Sequence, residues 1–256
     1  MRKIETCTIG LLDAFIEEMP PPIGLHRNAL YRGQKTASWP LLPGLLRQTL
    51  EQTQFASWLE LEMAMQHKFK HRAQPYIEAQ PMSELEWLSI AQHHGLPTRL
   101  LDWTENGLVA LFFATEPTVP ETDGAVWRIL PGDPRFTISH EVEGIPSEPS
   151  VYYPRHIARR ITSQRGCFVV HPLPKGNDRP TPFEKIYEAT DTPIHLAKIV
   201  IPAQTKRQLR RQLASMGVDS YSIYPDLDGL SRQIAEEIYY HTTSYDWIIE
   251  EFGQRK

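Results

Sequence analysis

The stretch IAQHHGLPTRLLDWTENGLVALFFAT at residues 90–115 constrains the fold more than any other part of the chain. Just before and into it, Leu85, Leu88 and Ala91 recur at helical spacing. Ser83 can cap that helix by accepting from a free amide, with Glu86 at the capping-box position. Gly95 can take the left-handed conformation that closes a helix, and Pro97 stops it from continuing. Residues 98–103 are too few for another helix and suit a buried strand. Helical spacing resumes at Leu108, Leu111, Phe112 and Ala114, with Thr104 or Asn106 as the cap. The turn and strand are unusually polar, holding Gln92, His93, His94, Thr98, Arg99, Asp102 and Thr104. Arg99 and Asp102 flank two leucines, and burying them is costly unless they pair or bind something. A buried Arg99–Asp102 pair that fixes the strand register and a ligand site are both open readings.

Helix and strand signals alternate along the rest of the chain. Leu11, Leu12, Phe15, Ile16 and Met19 mark a short amphipathic helix ended by three prolines. ALYRGQ at residues 29–34 reads as a strand, and Gly33 leaves room for a close backbone or ligand approach. Residues 51–72 read as a long helix with Phe55, Leu59, Met63 and Phe69 inward. His67 and His71 lie one turn apart on it, but no acidic residue between them completes a metallopeptidase pattern, so a solvated face is expected. Strands are expected at 124–130, 167–171 and 195–201, with an irregular polar loop over 172–193. Lys206, Arg207, Arg210 and Arg211 ride on a helix over 203–216, where a solvated face is the simpler reading than phosphate binding. Residues 221–224 read as a short strand, and Asp226 can cap a last helix over 227–240. Neither GxGxxG nor GxxxxGK[ST] occurs, so a doubly wound nucleotide fold has no support and a mixed α+β domain fits better.

Composition narrows the function classes. A formal net charge of -4 argues against a globally basic nucleic-acid binder but allows local basic patches. Cys7 and Cys167 cannot build a disulfide framework, which points to a reducing cytoplasm. Residues 1–10 lack the apolar core of a signal peptide, and no run approaches a membrane span.

YRGQ at residues 31–34 and the following W-x-L-x-P resemble the opening of the FRG domain. AQHHGLPTRLLDWTENGLVALFFA is similar to its central signature, with Gly107 where the family usually has proline. ITSQRGCFVVHP and IYPDLDGLSRQI resemble its later segments. The resemblance implies a single FRG domain over residues 1–256, with a helical N-terminal portion and an insertion around 40–90. The order of motifs is similar, more distantly, to the ADP-ribosyltransferase fold, a split β-sheet flanked by helices that grips NAD.

That likeness implies an NAD-dependent ADP-ribosyltransferase toxin acting on a nucleic acid, RNA more than DNA, in a bacterial toxin–antitoxin or anti-phage setting. It assigns NAD binding to Tyr31, Arg32, Gly33, Gln34, Thr98, Arg99 and Thr104, and chemistry to Arg32, Asp102, Gln164 and His93. Gln164 stands where these enzymes carry a catalytic Glu, so Asp102, Asp226 or Asp228 would have to supply the carboxylate. An arginine fork suits the pyrophosphate, and His93 or an aspartate could take the acceptor's proton. Arg159, Arg160 and Arg165, in a locally basic segment with Tyr152 and Tyr153, are the acceptor-binding candidates. An antitoxin or inhibitor protein is the implied partner; no metal and no membrane are expected. Two other readings stay open: a non-catalytic nucleotide or nucleic-acid module, and a metal-independent RNA-cleaving toxin using His93 or His94 with Arg99.

Overall fold

A computed structural model describes residues 2–21, 28–77, 80–131, 137–138, 144–154, 165–191 and 194–238. Along the chain the elements are β1 (Glu5–Thr8), α1 (Leu12–Glu17), β2 (Leu30–Gln34), α2 (Trp58–Ala73), α3 (Glu84–His93), β3 (Leu100–Thr104) and α4 (Gly107–Ala114). They continue as β4 (Gly124–Pro131), β5 (Thr137–Ile138), β6 (Ser150–Tyr152), β7 (Gly166–Val170), α5 (Phe183–Ala189), β8 (Ile194–Ile201), α6 (Lys206–Ser215), α7 (Ser220–Ile223) and α8 (Leu227–Glu236). The class is α+β, as the mixed helix and strand signals require.

The strands form one mixed eight-stranded sheet in the order β1-β8-β4-β2-β3-β7-β6-β5. Antiparallel pairing runs along the whole length of β2 against β4 and of β3 against β7. Between β2 and β3, at the centre of the sheet, only Tyr31 and Thr104 pair. Beyond that pair the two strands part, leaving a seam.

Alternation along the strands sorts side chains onto two faces. Leu30, Leu101, Trp103, Trp127, Ile129, Cys167 and Val169 face a core closed by Phe183 and Tyr187 of α5. The other face carries two separate cores. Tyr31, Val126 and Ile199 pack under α4, α6 and α1, while Leu100, Phe168 and Val170 pack under Leu85 and Leu88 of α3. The gap between α3 and α4 lies over the seam.

Local signals place these helices. Ser83 accepts from the Glu86 amide, but Glu86 reaches back to the Met82 amide instead of completing a capping box. Gly95 has φ of 86° and ends the turn. Asn106 caps α4 through the Leu108 amide, and Asp226 caps α8 through the Gly229 amide.

Several expectations need correction. The long helix begins at Trp58, because Ser57 caps it through the Glu60 amide and the residues before it form 3-10 turns. Its inner face is Trp58, Leu61 and Glu62, while Leu59 and Met63 are exposed. The polar loop over 172–193 contains α5, held by buried Phe183 and Tyr187. Residues expected as a strand at 221–224 form α7, fixed by a capping box between Asp219 and Ser222. Cations on α6 are not all solvated: Lys206 donates to the Lys35 and Glu116 carbonyls, and Arg210 to the Phe112 carbonyl and Glu236. His67 and His71 are exposed on α2.

Candidate functional site

The seam opens into a cavity of about 350 Å³ between the end of α3 and α4. Strand β2 gives it Tyr31, Arg32 and Gly33; β3 gives Asp102 and Thr104; β7 gives Gly166 and Phe168. Gln92 and His93 close it from α3, and Val109, Phe113 and Tyr224 form an apolar wall. Phe113 and Tyr224 meet edge to face, with ring centres 6.3 Å apart.

Arg32 bridges the parted strands. Its Nη1 donates to the Asp102 main-chain carbonyl at 2.7 Å and lies 3.6 Å from the Asp102 carboxylate. The guanidinium therefore supplies across the seam a bond that a continuous ladder would make with backbone amides. Burial pushes its affinity for a proton down and the Asp102 charge partly restores it. Its Nε has no hydrogen-bond partner, which is costly for a charged group shielded from water.

Asp102 faces outward, with 67% of its side chain exposed, and is held by Gln92 Nε2 at 2.7 Å. Gln92 Oε1 in turn accepts from the Thr98 hydroxyl, which also accepts from the Leu100 amide. Thr98, Gln92, Asp102 and Arg32 thus form one hydrogen-bonded chain. Asp102 is the sole carboxylate among the described residues that line this cavity.

Tyr31, Arg32, Gly33, His93, Asp102 and Thr104 are therefore brought together, and Thr98 reaches them through Gln92. Gly33 needs a packing explanation first: a Cβ there would sit 1.9 Å from the Ala110 carbonyl oxygen, so close contact with α4 already requires glycine. Gln34 turns to the other face, where its amide accepts from Trp127 Nε1 and donates to the Pro40 carbonyl.

Arg99 does not pair with Asp102. It is buried, and its Nε donates to both carboxylate oxygens of Glu62 on α2 at 2.9 Å, with Nη2 adding a third contact. Asp226 and Asp228 are exposed and do not line the cavity. Arg165 is exposed at the turn into β7, with φ of 46°. Gln164, Arg159 and Arg160 lie outside the described residues.

Sequence reasoning missed Phe113, Phe168 and Tyr224 as walls, and Gln92 as the residue that holds Asp102. Tyr224 sits inside the IYPDLDGL segment and Gln92 inside AQHHG, so motif membership was the available signal. No group of three or more His, Cys, Asp or Glu side chains among the described residues could hold a metal ion. No helix among them is long and apolar enough to cross a membrane.

Neither the curated proteins nor the solved structures give a match to the chain. A family model does: residues 27–123 match the FRG domain. The matched span begins just before β2 and ends before β4, so it carries Arg32, Gln92, His93, Asp102 and Thr104 but not β7 or Tyr224. With the Arg-Gly strand, the capped helix pair and the seam residues all inside that span, the chain carries an FRG domain.

Proposed function

We propose that the chain is an NAD-dependent ADP-ribosyltransferase that modifies a nucleic acid, RNA in preference to DNA. One observation carries the reading. The three strands that the transferase likeness assigns to the NAD site, β2, β3 and β7, lie side by side and open onto one cavity. A half-buried guanidinium, a carboxylate and apolar ring walls line that cavity.

The residues present suit NAD as substrate. Tyr31, Phe113, Phe168 and Tyr224 offer surfaces for a flat ring. Arg32 offers a charged donor for a phosphate oxygen. When bound, NAD supplies an ADP-ribosyl group whose bond to nicotinamide breaks with the electron pair leaving on the ring nitrogen. Asp102, held by Gln92, is the group that stabilises positive charge developing on the ribose. His93, on the same cavity wall, takes the proton from the acceptor hydroxyl or amine. Such an activity on cellular RNA is toxic, so the reading carries with it a restraining antitoxin or inhibitor protein.

The test is release of nicotinamide and transfer of label from NAD labelled in the ADP-ribose portion, with total RNA as acceptor. Asp102→Asn should cut turnover on the order of a hundredfold or more, as loss of a single charge-stabilising group does, while NAD still binds. Failure of the wild-type protein to consume NAD with any nucleic acid would overturn the reading.

A second reading, a nucleotide-binding module without turnover, has one observation in its favour. The one lining carboxylate among the described residues is already engaged by Arg32 and Gln92. Saturable NAD binding with no product would establish it. The RNA-cleaving reading loses its cation, since Arg99 is buried against Glu62.

A further inference from the structure

Next to the ring-lined cavity lies a second one of about 270 Å³, which shares Arg32, Gln92 and Asp102 with it. Its remaining walls are the loop around Pro43, Gly44, Arg47 and Gln48 and the turn from Gly95 to Thr98. The two walls are tied together, since the Leu45 amide donates to the Thr98 carbonyl at 3.0 Å. Leu45 and Leu46 are buried beneath, so the turn that ends in Arg47 is anchored. Gly44 lies on the slot wall, where a Cβ would make only ordinary contact with Pro97 at 3.5 Å and Arg47 Nη2 at 3.7 Å.

The charges in this slot do not balance. Arg47 is exposed and makes no ion pair among the described residues, and its charge acts against that of Arg32. The single countercharge on the wall among the described residues, Asp102, is mostly solvated and shared with Gln92. Two guanidinium groups lining one slot match an anion with several oxygens.

We infer that the second cavity is a diphosphate subsite, in which Arg47 joins Arg32 to hold the phosphoanhydride of a nucleotide whose ring occupies the first cavity. The assignment rests on the dinucleotide reading above and names the residue that reading leaves out. A phosphodiester of a nucleic acid is the other source of such an anion. The sharing of Arg32, Gln92 and Asp102 between the slot and the ring cavity favours the phosphoanhydride. In the free protein Asp102 occupies part of the anion's place on Arg32, so the two compete.

Titration of the full chain with inorganic pyrophosphate, followed by calorimetry, tests this. Binding is expected, with Arg47→Ala weakening it at least about tenfold, the scale of a lost charge-assisted bond. Arg47→Lys should recover part of the loss. Asp102→Asn should tighten pyrophosphate binding, a sign that general destabilisation would not produce. Arg211→Ala, an exposed cation on α6, should leave it unchanged. Absence of pyrophosphate binding, an Arg47→Ala affinity equal to wild type, or Arg47-dependent binding of single-stranded RNA but not pyrophosphate would overturn the inference. Pyrophosphate binding through Arg47 without NAD turnover would sink the transferase reading alone. NAD turnover with an unchanged KM in Arg47→Ala would sink this one alone.

Discussion

Replacing Arg99 separates stability from ligand binding. Its guanidinium and the Glu62 carboxylate keep only 7% and 3% of their side chains exposed, and three N–O contacts join them. Arg99→Ala leaves a carboxylate in the core with no partner, which costs about 3–5 kcal/mol. At about 2–4 °C per kcal/mol for a domain of this size, the midpoint of thermal unfolding should fall by roughly 6–20 °C. Glu62→Ala should do the same, and the two losses should not add, because one pair is removed in both cases. Glu62→Leu with Arg99→Met should recover most of the loss, since an apolar pair of similar size avoids the desolvation of two charges. Thermal melts by circular dichroism, read beside pyrophosphate and NAD affinities at a temperature where all variants are folded, give the answer. An Arg99→Ala protein that melts like wild type but no longer binds NAD would refute the reasoning and return Arg99 to the site.

Gly33→Ala should lose about 1–3 kcal/mol or more, because its Cβ would meet a helix carbonyl that cannot move without shifting α4; a melt unchanged from wild type would show that α4 yields freely. His171 is buried, and burial pushes its imidazole below the ordinary value despite the bond to the Pro172 carbonyl. Its lowered folded value means that the unfolded chain binds the proton more readily. Its contribution is therefore fully present above the unfolded value of about 6.5 and is lost as pH falls through and below it. His171→Gln should flatten that part of the stability curve between pH 7 and 5, and equal curves would remove His171 from the account. Cys7 is exposed and Cys167 is buried with its thiol pushed up by burial; a thiol reagent at pH 8 should label one cysteine in the native protein and two in denaturant.

What could be read from the sequence was local. The caps at Ser83, Asn106 and Asp226 and the turn at Gly95 are set within about three residues of backbone, and all appear in the fold. Arg32, His93, Asp102 and Thr104 were singled out through the motifs of the resemblance and line one cavity, although their mutual distances come from pairing across the sheet. Arg99 illustrates what could not be read. Its polar neighbour in sequence, Asp102, is three residues on and falls on the other face of β3 by alternation, while its true partner Glu62 comes from a helix whose inner face the apolar spacing misassigned. Lys206 and Arg210 hide another class of information. Their long apolar stems allow a cation to reach buried carbonyls, so a charged helix face need not be a wet one. In α7 the capping box between Asp219 and Ser222 sets a helical turn where a short strand was expected.

The single residue pair between β2 and β3 divides the sheet into two plates that share a hinge line. Backbone ladders exchange partners only when a strand unzips, whereas the bond from Arg32 to the Asp102 carbonyl can be broken by one side-chain rotation. Whatever draws Arg32 away therefore also loosens the join between the plates. A ligand bound there would have to become the rung it displaces, touching both strands at once. Occupancy would then be felt as stiffness across the whole sheet rather than as a local change at one wall.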